Sequence, residues 1–194
     1  AGADYMNDYL TTYQFVDNES HSQTSLDAFV QFDYNPTTWL NVIASVRDDY
    51  FSESDNNALT SRLATMFKMK PLSIRASYSG GFRSPTLKEM YMCFDMAGIQ
   101  MIYGNPDLKP ERSHNFNIAL ERNGQLRRGV FAGSYSVTLS GYYNYYDSRI
   151  TTTDYPGTSE NEEGAIYTNE DGVKVMGIDF NARSVSYTHL TLPT

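Results

Sequence analysis

The sequence predicts an all-β chain, an antiparallel meander of about eight strands with the loop pattern of a transmembrane β-barrel. Three observations carry that expectation. Apolar and polar residues alternate with period two in segment after segment. The 194 residues include 16 Tyr and 10 Phe against one Trp, a composition that suits strands whose aromatic rings have one wet end. Finally, the connections between the alternating segments are by turns short and long.

Taken in order, a weak alternation near Tyr5 to Tyr13 opens the chain, and Leu26 to Tyr34 follows with Leu26, Ala28, Val30, Phe32 and Tyr34 on one face against Asp27, Gln31 and Asp33. Leu40, Val42, Ala44 and Val46 alternate with Asn41, Ser45 and Arg47. Leu59, Leu63, Phe67 and Met69 interleave with Thr60, Arg62 and Lys68, and Leu72, Ile74, Ala76 and Tyr78 oppose Ser73, Arg75, Ser77 and Ser79. Phe116, Ile118 and Leu120 then alternate with Asn115, Asn117 and Glu121. Tyr135 to Tyr145 and Met176 to Phe180 complete the set.

Short turns are expected at Asn35 to Thr38, Lys68 to Pro71 and Asn123 to Gly129. Long loops are expected before Thr24, at Tyr50 to Asn57, at Gly81 to Glu111 and at Asp147 to Gly172. Tight turns at one end and extended loops at the other mark a membrane barrel. Charge follows the same division: Asp48, Asp49, Glu53, Asp55, Glu160, Glu162, Glu163, Glu170 and Asp171 fall toward the long loops, and Lys68, Lys70, Arg127 and Arg128 toward the short turns. A soluble antiparallel sandwich, apolar inside and polar outside, is the competing architecture.

Composition excludes other classes. A lone cysteine, Cys93, makes neither an intramolecular disulfide nor a cysteine-based zinc site, and reads as a small hydrophobe. No run of 18 apolar residues exists for a transmembrane helix. Ala1 to Leu10 carries Asp4 and Asp8 and lacks a leader pattern, as expected of a mature or internal segment. With 15 Lys and Arg against 23 Asp and Glu, a net charge of -8, nucleic acid is not an expected partner. No phosphate loop or nucleophile elbow is present, and the paired acids Asp48-Asp49 and Glu162-Glu163 read as solvated, so no catalytic residue, metal site or resident cofactor is expected.

One stretch, Tyr78 to Glu121, interrupts the strand pattern. It carries Phe82-Arg83-Ser84-Pro85, then a segment of helical look, then Asn105-Pro106-Asp107-Leu108-Lys109-Pro110-Glu111. Pro85 and Pro106 fix φ and interrupt any ladder, Gly104 suits a tight turn, and Pro85 fits the first turn of a short helix. This pair of boxes resembles the barrel of TonB-dependent outer-membrane receptors, and the resemblance covers most of residues 1 to 184. It implies an outer-membrane receptor of a Gram-negative bacterium, with part of a barrel of about 22 strands around a plug and energised uptake of a large iron complex. Haem is the first ligand implied, with siderophores or cobalamin next. Implied partners are outer-membrane lipid, the TonB complex acting through the plug, the iron complex and a surface lipoprotein.

Phe82, Arg83, Pro85, Asn105, Pro106 and Leu108 are expected to shape the ligand loop. Arg83 has two roles open: clamping an anionic ligand group, or pairing with an acid of the plug. The boxes are most similar to the haem and haemoglobin branch, which places a histidine between them. Here Met96 stands at that point, which makes Met96, Tyr91 and Tyr103 candidate ligand contacts, since thioether and phenolate both ligate haem iron. Packing of Met90, Met92, Met101 and these residues onto the barrel mouth is the alternative. His21 reads as part of a solvated acidic loop with Asp17 and Glu19, and His114 as an interfacial residue beside Phe116.

Residues 185–194, including His189, resemble translated adapter sequence and are set apart from the barrel expectation. Two other classes stay open: a self-contained eight-stranded structural or adhesion barrel, and a soluble sandwich that stacks sugars on its aromatics.

Overall fold

The computed structural model describes residues 1–15, 20–52, 56–126, 133–159 and 161–186. Eight long strands and two short ones form a single sheet in the order β1-β2-β3-β4-β5-β8-β9-β10-β7-β6. The long strands are β1 (Gly2–Thr11), β2 (Ser20–Thr37), β3 (Leu40–Phe51), β4 (Asn56–Met69), β5 (Leu72–Arg83), β8 (Glu111–Leu126), β9 (Gly133–Tyr155) and β10 (Gly164–Ser186). Each pairs antiparallel with its neighbour, so the expected meander is present. Between β5 and β8 the chain forms helix α1 (Leu87–Tyr91) and strands β6 (Cys93–Asp95) and β7 (Met101–Tyr103).

Register gathers the apolar residues onto one face of this sheet. Val30 lies opposite Val46, Ala44 opposite Leu63, Leu63 opposite Tyr78, Ala76 opposite Ile118, Ile118 opposite Gly141 and Gly141 opposite Ile178. One face is therefore apolar across seven strands, and it stands open: Ile178 is 81% exposed and Phe180 70%. A soluble sandwich would bury that face, whereas a membrane barrel presents it to acyl chains. Aromatic residues gather toward its two margins. Trp39 stacks near Phe67 beside the short turns, and Tyr78, His114 and Tyr145 stack in sequence toward the long loops.

The opposite face is polar. Arg47 pairs with Asp27 at 3.1 Å and Asp49 at 2.8 Å, and Arg75 pairs with Glu121 at 2.9 Å. Asp48 and Asp49, expected in an outer loop, thus belong to β3, with Asp49 buried beside Arg47. Alternation concealed this, because a lumen-facing acid looks the same in sequence as a solvated one.

Several boundaries differ from expectation. The first turn is Thr38–Trp39 rather than Asn35 to Thr38, since a register irregularity between Tyr34 and Thr37 carries the ladder past Pro36. The second is confined to Lys70 and Pro71. The third, from residue 127, lies outside the described residues, as do Arg127 and Arg128, the acids Asp17, Glu19, Glu53, Asp55 and Glu160, and His189. The expected long loop from Asp147 to Gly172 shrinks to residues 156–163, because β9 and β10 stay paired far above the apolar face. Each runs 23 residues, roughly 75 Å, where a membrane needs about 9–11 residues. Above the membrane neither face is apolar, so periodicity goes silent while Thr151, Thr152 and Thr153 sustain the ladder. Val185 and Ser186 continue β10 opposite Ser134 and Gly133.

Candidate functional site

The two sequence boxes meet. Arg83, the last residue of β5, lies directly opposite Glu111, the first of β8, so the strands leave the barrel wall at one shared point. The Arg83 guanidinium grips Glu111 through Nε to Oε2 at 2.9 Å and Nη2 to Oε1 at 3.0 Å. Its remaining nitrogen, Nη1, donates to both Glu89 oxygens at 3.1 and 2.8 Å. Such two-pronged pairing suits the planar fork of arginine. Glu111 Oε1 also accepts the Ile150 amide at 2.7 Å, tying the junction to β9. Within this chain Arg83 thus holds the loop base together, through a pair of acids in the chain itself.

These charges set the local titration. Arg83 holds the Glu111 carboxyl below its ordinary range against the opposing effect of burial. Burial pushes Glu89 upward, but its bonds to Arg83 and Thr86 outweigh that and hold it low as well.

Glu89 also completes the cap of α1. The Thr86 hydroxyl accepts from the Glu89 amide at 3.2 Å, and the Glu89 carboxylate accepts from the Thr86 amide at 2.8 Å, a reciprocal capping box. Thr86 is therefore the N-cap, and Pro85 lies one residue outside the helix rather than in its first turn. Pro85 is fully buried, next to Ser84, whose hydroxyl accepts from Gln23 of β2 at 3.1 Å. Leu87 and Met90 bury the inner side of the helix.

The second box folds back on the first. The Asn105 amide donates to the Glu89 carbonyl at 2.9 Å, its side-chain oxygen accepts from Asp107, and its side-chain nitrogen donates to the Tyr167 carbonyl at 3.0 Å. Pro106 follows in a turn and Leu108 is buried. Lys109 and Asn169 of β10 exchange two bonds at 2.8 Å. Gly104 is needed for close approach: a Cβ there would stand 2.7 Å from the Met90 carbonyl oxygen. Phe82 packs 5.6 Å from Phe51 on β3.

Between these anchors the loop crosses the barrel mouth. At one side β7 adds parallel to β10, Ile102 opposite Ala165. At the other, Met92 bridges to Phe15, and Tyr91 stacks on His21 with ring centroids 3.8 Å apart. His21 therefore lies in β2 beneath the loop, rather than in an acidic loop of its own. Cys93 faces Tyr103 across the β6–β7 hairpin, and burial raises its thiol pKa. His114 sits at the margin of the apolar face, as expected, hydrogen-bonded to Tyr78 at 3.0 Å.

The loop borders a half-open pocket of about 410 Å³. Tyr91, Tyr103 and Tyr155 line it, with Met90, Gly104 and Pro106. Two of the candidate contacts thus come together, whereas Met96 lies at the β6–β7 turn, half exposed, and does not line the pocket. Tyr103 donates its hydroxyl to the Glu162 carbonyl at 3.0 Å, and desolvation raises its pKa. Tyr155, whose ring lies 4.9 Å from Tyr103, was not singled out in the sequence because it reads as one more loop aromatic. No group of His, Cys, Asp and Glu suited to a metal exists among the described residues.

The family model described as TonB dependent receptor-like, beta-barrel, matches residues 1–192. The chain belongs to the TonB-dependent receptors. Among curated relatives, it is 30% identical over 125 residues to a probable hemoglobin and hemoglobin-haptoglobin-binding protein of Haemophilus influenzae, covering 62% of this chain and 12% of the relative. It is 32% identical over 157 residues to the vitamin B12 transporter BtuB of Photobacterium profundum, covering 75% of this chain and 23% of the relative. The chain thus spans under a quarter of either protein's length. These relatives are binding proteins and transporters, not enzymes.

Solved receptors of the family share the fold. The siderophore receptor PirA from Pseudomonas aeruginosa matches with a TM-score of 0.77 at 15% identity, over 92% of this chain and 34% of that one. The hemophore receptor HasR of Serratia marcescens, solved with its hemophore and heme, matches with a TM-score of 0.73 at 13% identity, over 93% of this chain and 36% of that one. The eight long strands are accordingly part of a TonB-dependent receptor barrel.

Proposed function

We propose that the parent receptor of this chain sits in the outer membrane of a Gram-negative bacterium and captures an iron complex, haem first among them, at the loop cluster above the barrel. The observation that carries this reading is the half-open pocket of about 410 Å³ walled by Tyr91, Tyr103 and Tyr155, with Pro106 of the second box at its edge. Flat aromatic walls suit a flat conjugated ligand, and the volume lies within the usual range for ligand sites. The hemoglobin-binding relative supports the same ligand class.

The tyrosines act through ring faces in this reading. Tyr103 keeps its proton, since its hydroxyl is donated to a carbonyl and desolvation disfavours the phenolate. Contact without ligation suits a receptor that must release what it captures. Passage inward falls to a plug and the TonB complex, and a surface lipoprotein that delivers haem is a further partner of the exposed loops. Cobalamin is the second reading, favoured by the B12 transporter relative.

The test is a haemin titration of the full-length parent in detergent, followed at the Soret band. A saturable shift weakened by Tyr103→Ala supports haem. No shift, together with saturable binding of cyanocobalamin, replaces haem with cobalamin.

A further inference from the structure

The pocket walled by Tyr91, Tyr103 and Tyr155 carries no positive charge of its own. Among the described residues, no Lys, Arg or His lines it. Cations of the surrounding loops are committed elsewhere. Arg83 is held by Glu89 and Glu111, Lys88 Nζ sits 4.6 Å from the Phe94 ring centroid, and Arg149 lies 5.8 Å from that of Tyr146. The rim is negative instead. The tip of the β9–β10 hairpin folds back through Gly157 (φ +75°), where a Cβ would stand 2.9 Å from the Asn161 carbonyl oxygen. That same oxygen accepts the Thr158 amide at 2.9 Å. The turn sets Asn161 into the pocket lining and the Glu162 carbonyl 3.0 Å from the Tyr103 hydroxyl. Glu162 and Glu163 are both exposed there, and the Glu162 charge adds to the desolvation that holds the Tyr103 proton.

We propose that Glu162 is a specificity-determining residue that turns anionic groups away from the pocket, so that a flat cargo enters by an uncharged edge with its carboxylates outward. This deepens, and rests on, the assignment of the pocket as the capture site. A carboxylate brought inside would lose hydration and find no cation in the wall. It would also meet the field of Glu162, which is screened only over about 8 Å at physiological salt. An uncharged conjugated edge meets ring faces, Met90 and Pro106. Haem has both kinds of edge, with its two propionates on one side and none on the opposite side. The chain therefore fixes which edge of such a ligand faces inward, by repulsion rather than by a cationic clamp.

Titration of the full-length parent in detergent with haemin and with haemin dimethyl ester, each followed at the Soret band, tests it. The wild type is expected to bind the ester about fivefold tighter at low salt, as suits one exposed charge near a ligand. Raising salt to about 0.5 M is expected to cut that preference at least by half. Glu162→Gln is expected to bring the two affinities within about twofold, and Glu162→Lys to reverse their order. Both variants keep the backbone carbonyl that holds Tyr103. Comparing ratios between proteins cancels any difference in how the two porphyrins partition into detergent. A wild-type preference that salt leaves unchanged, a comparison that needs no variant, overturns the proposal and leaves haem capture standing. The same ratio in Glu162→Gln as in the wild type does likewise. No saturable shift with either porphyrin overturns haem capture itself, and the role of Glu162 falls with it.

Discussion

Arg83 and Glu111 close the base of the outer loop as a two-pronged ion pair, with bonds of 2.9 and 3.0 Å between residues that are also ladder partners. Twenty-eight positions apart in sequence, they bring the two boxes into one structure. The third nitrogen of Arg83 reaches Glu89, so the pair also fixes the start of α1.

Arg83→Ala removes both pairings and leaves Glu89 and Glu111 without a shared cation. Charge-assisted bonds at partly exposed sites contribute modestly, so a local loss of about 2 kcal/mol is expected for the loop, with the barrel intact. Hydrogen exchange of the α1 and β6–β7 amides in the full-length receptor measures it. Exchange unchanged from wild type would refute the structural role.

Acid acts on the same junction. Glu89 and Glu111 both titrate below their ordinary value of 4.5 when folded, so their contribution is complete above about pH 4.5 and is lost as pH falls through the depressed values. Loop protection is expected to hold from neutral pH to about 5 and then decline, while Glu111→Gln shows a smaller decline. A loop that loosens on raising pH from 5 to 7 would contradict this sign.

Gly104→Ala places a Cβ 2.7 Å from the Met90 carbonyl oxygen, a rigid backbone neighbour. About 1–3 kcal/mol of loop destabilisation is expected, as for overpacking in cores. Haemin affinity of the full-length receptor is expected to fall with it, whereas Gly98→Ala, where a Cβ meets nothing, strains φ at an open turn and leaves affinity within about twofold.

Within the pocket, Tyr103→Ala is expected to weaken haemin binding about tenfold, equivalent to ~1.4 kcal/mol. Met96→Ala, outside the pocket, is expected to change it less than twofold. The reverse order would move the ligand to the β6–β7 turn.

On the barrel wall, Ile178→Lys faces lipid and is expected to cost about 2–4 kcal/mol in urea unfolding from vesicles. Asn117→Lys, on the polar face, is expected to cost far less. Equal costs would mean that the faces are assigned wrongly.

Alternation of Leu, Ile, Val and aromatic residues with polar ones was enough to read the eight long strands, their meander and the lipid-facing set, because a sheet has period two and a membrane rewards one uniform face. The boxes around Arg83 and Asn105 were equally legible, since prolines and an asparagine at fixed spacing impose turns locally. Pairing across distance was not: Arg83 with Glu111, His21 against Tyr91, and Tyr155 beside Tyr103 join residues tens of positions apart, through a loop whose path depends on β7 adding to β10. The heights of β9 and β10 were hidden for a related reason. Above the membrane both faces meet water and periodicity vanishes, so only the ladder itself, one strand against the next, decides where the hairpin ends. Sequence alone thus determined which surface meets lipid; tertiary structure decided which side chains meet one another.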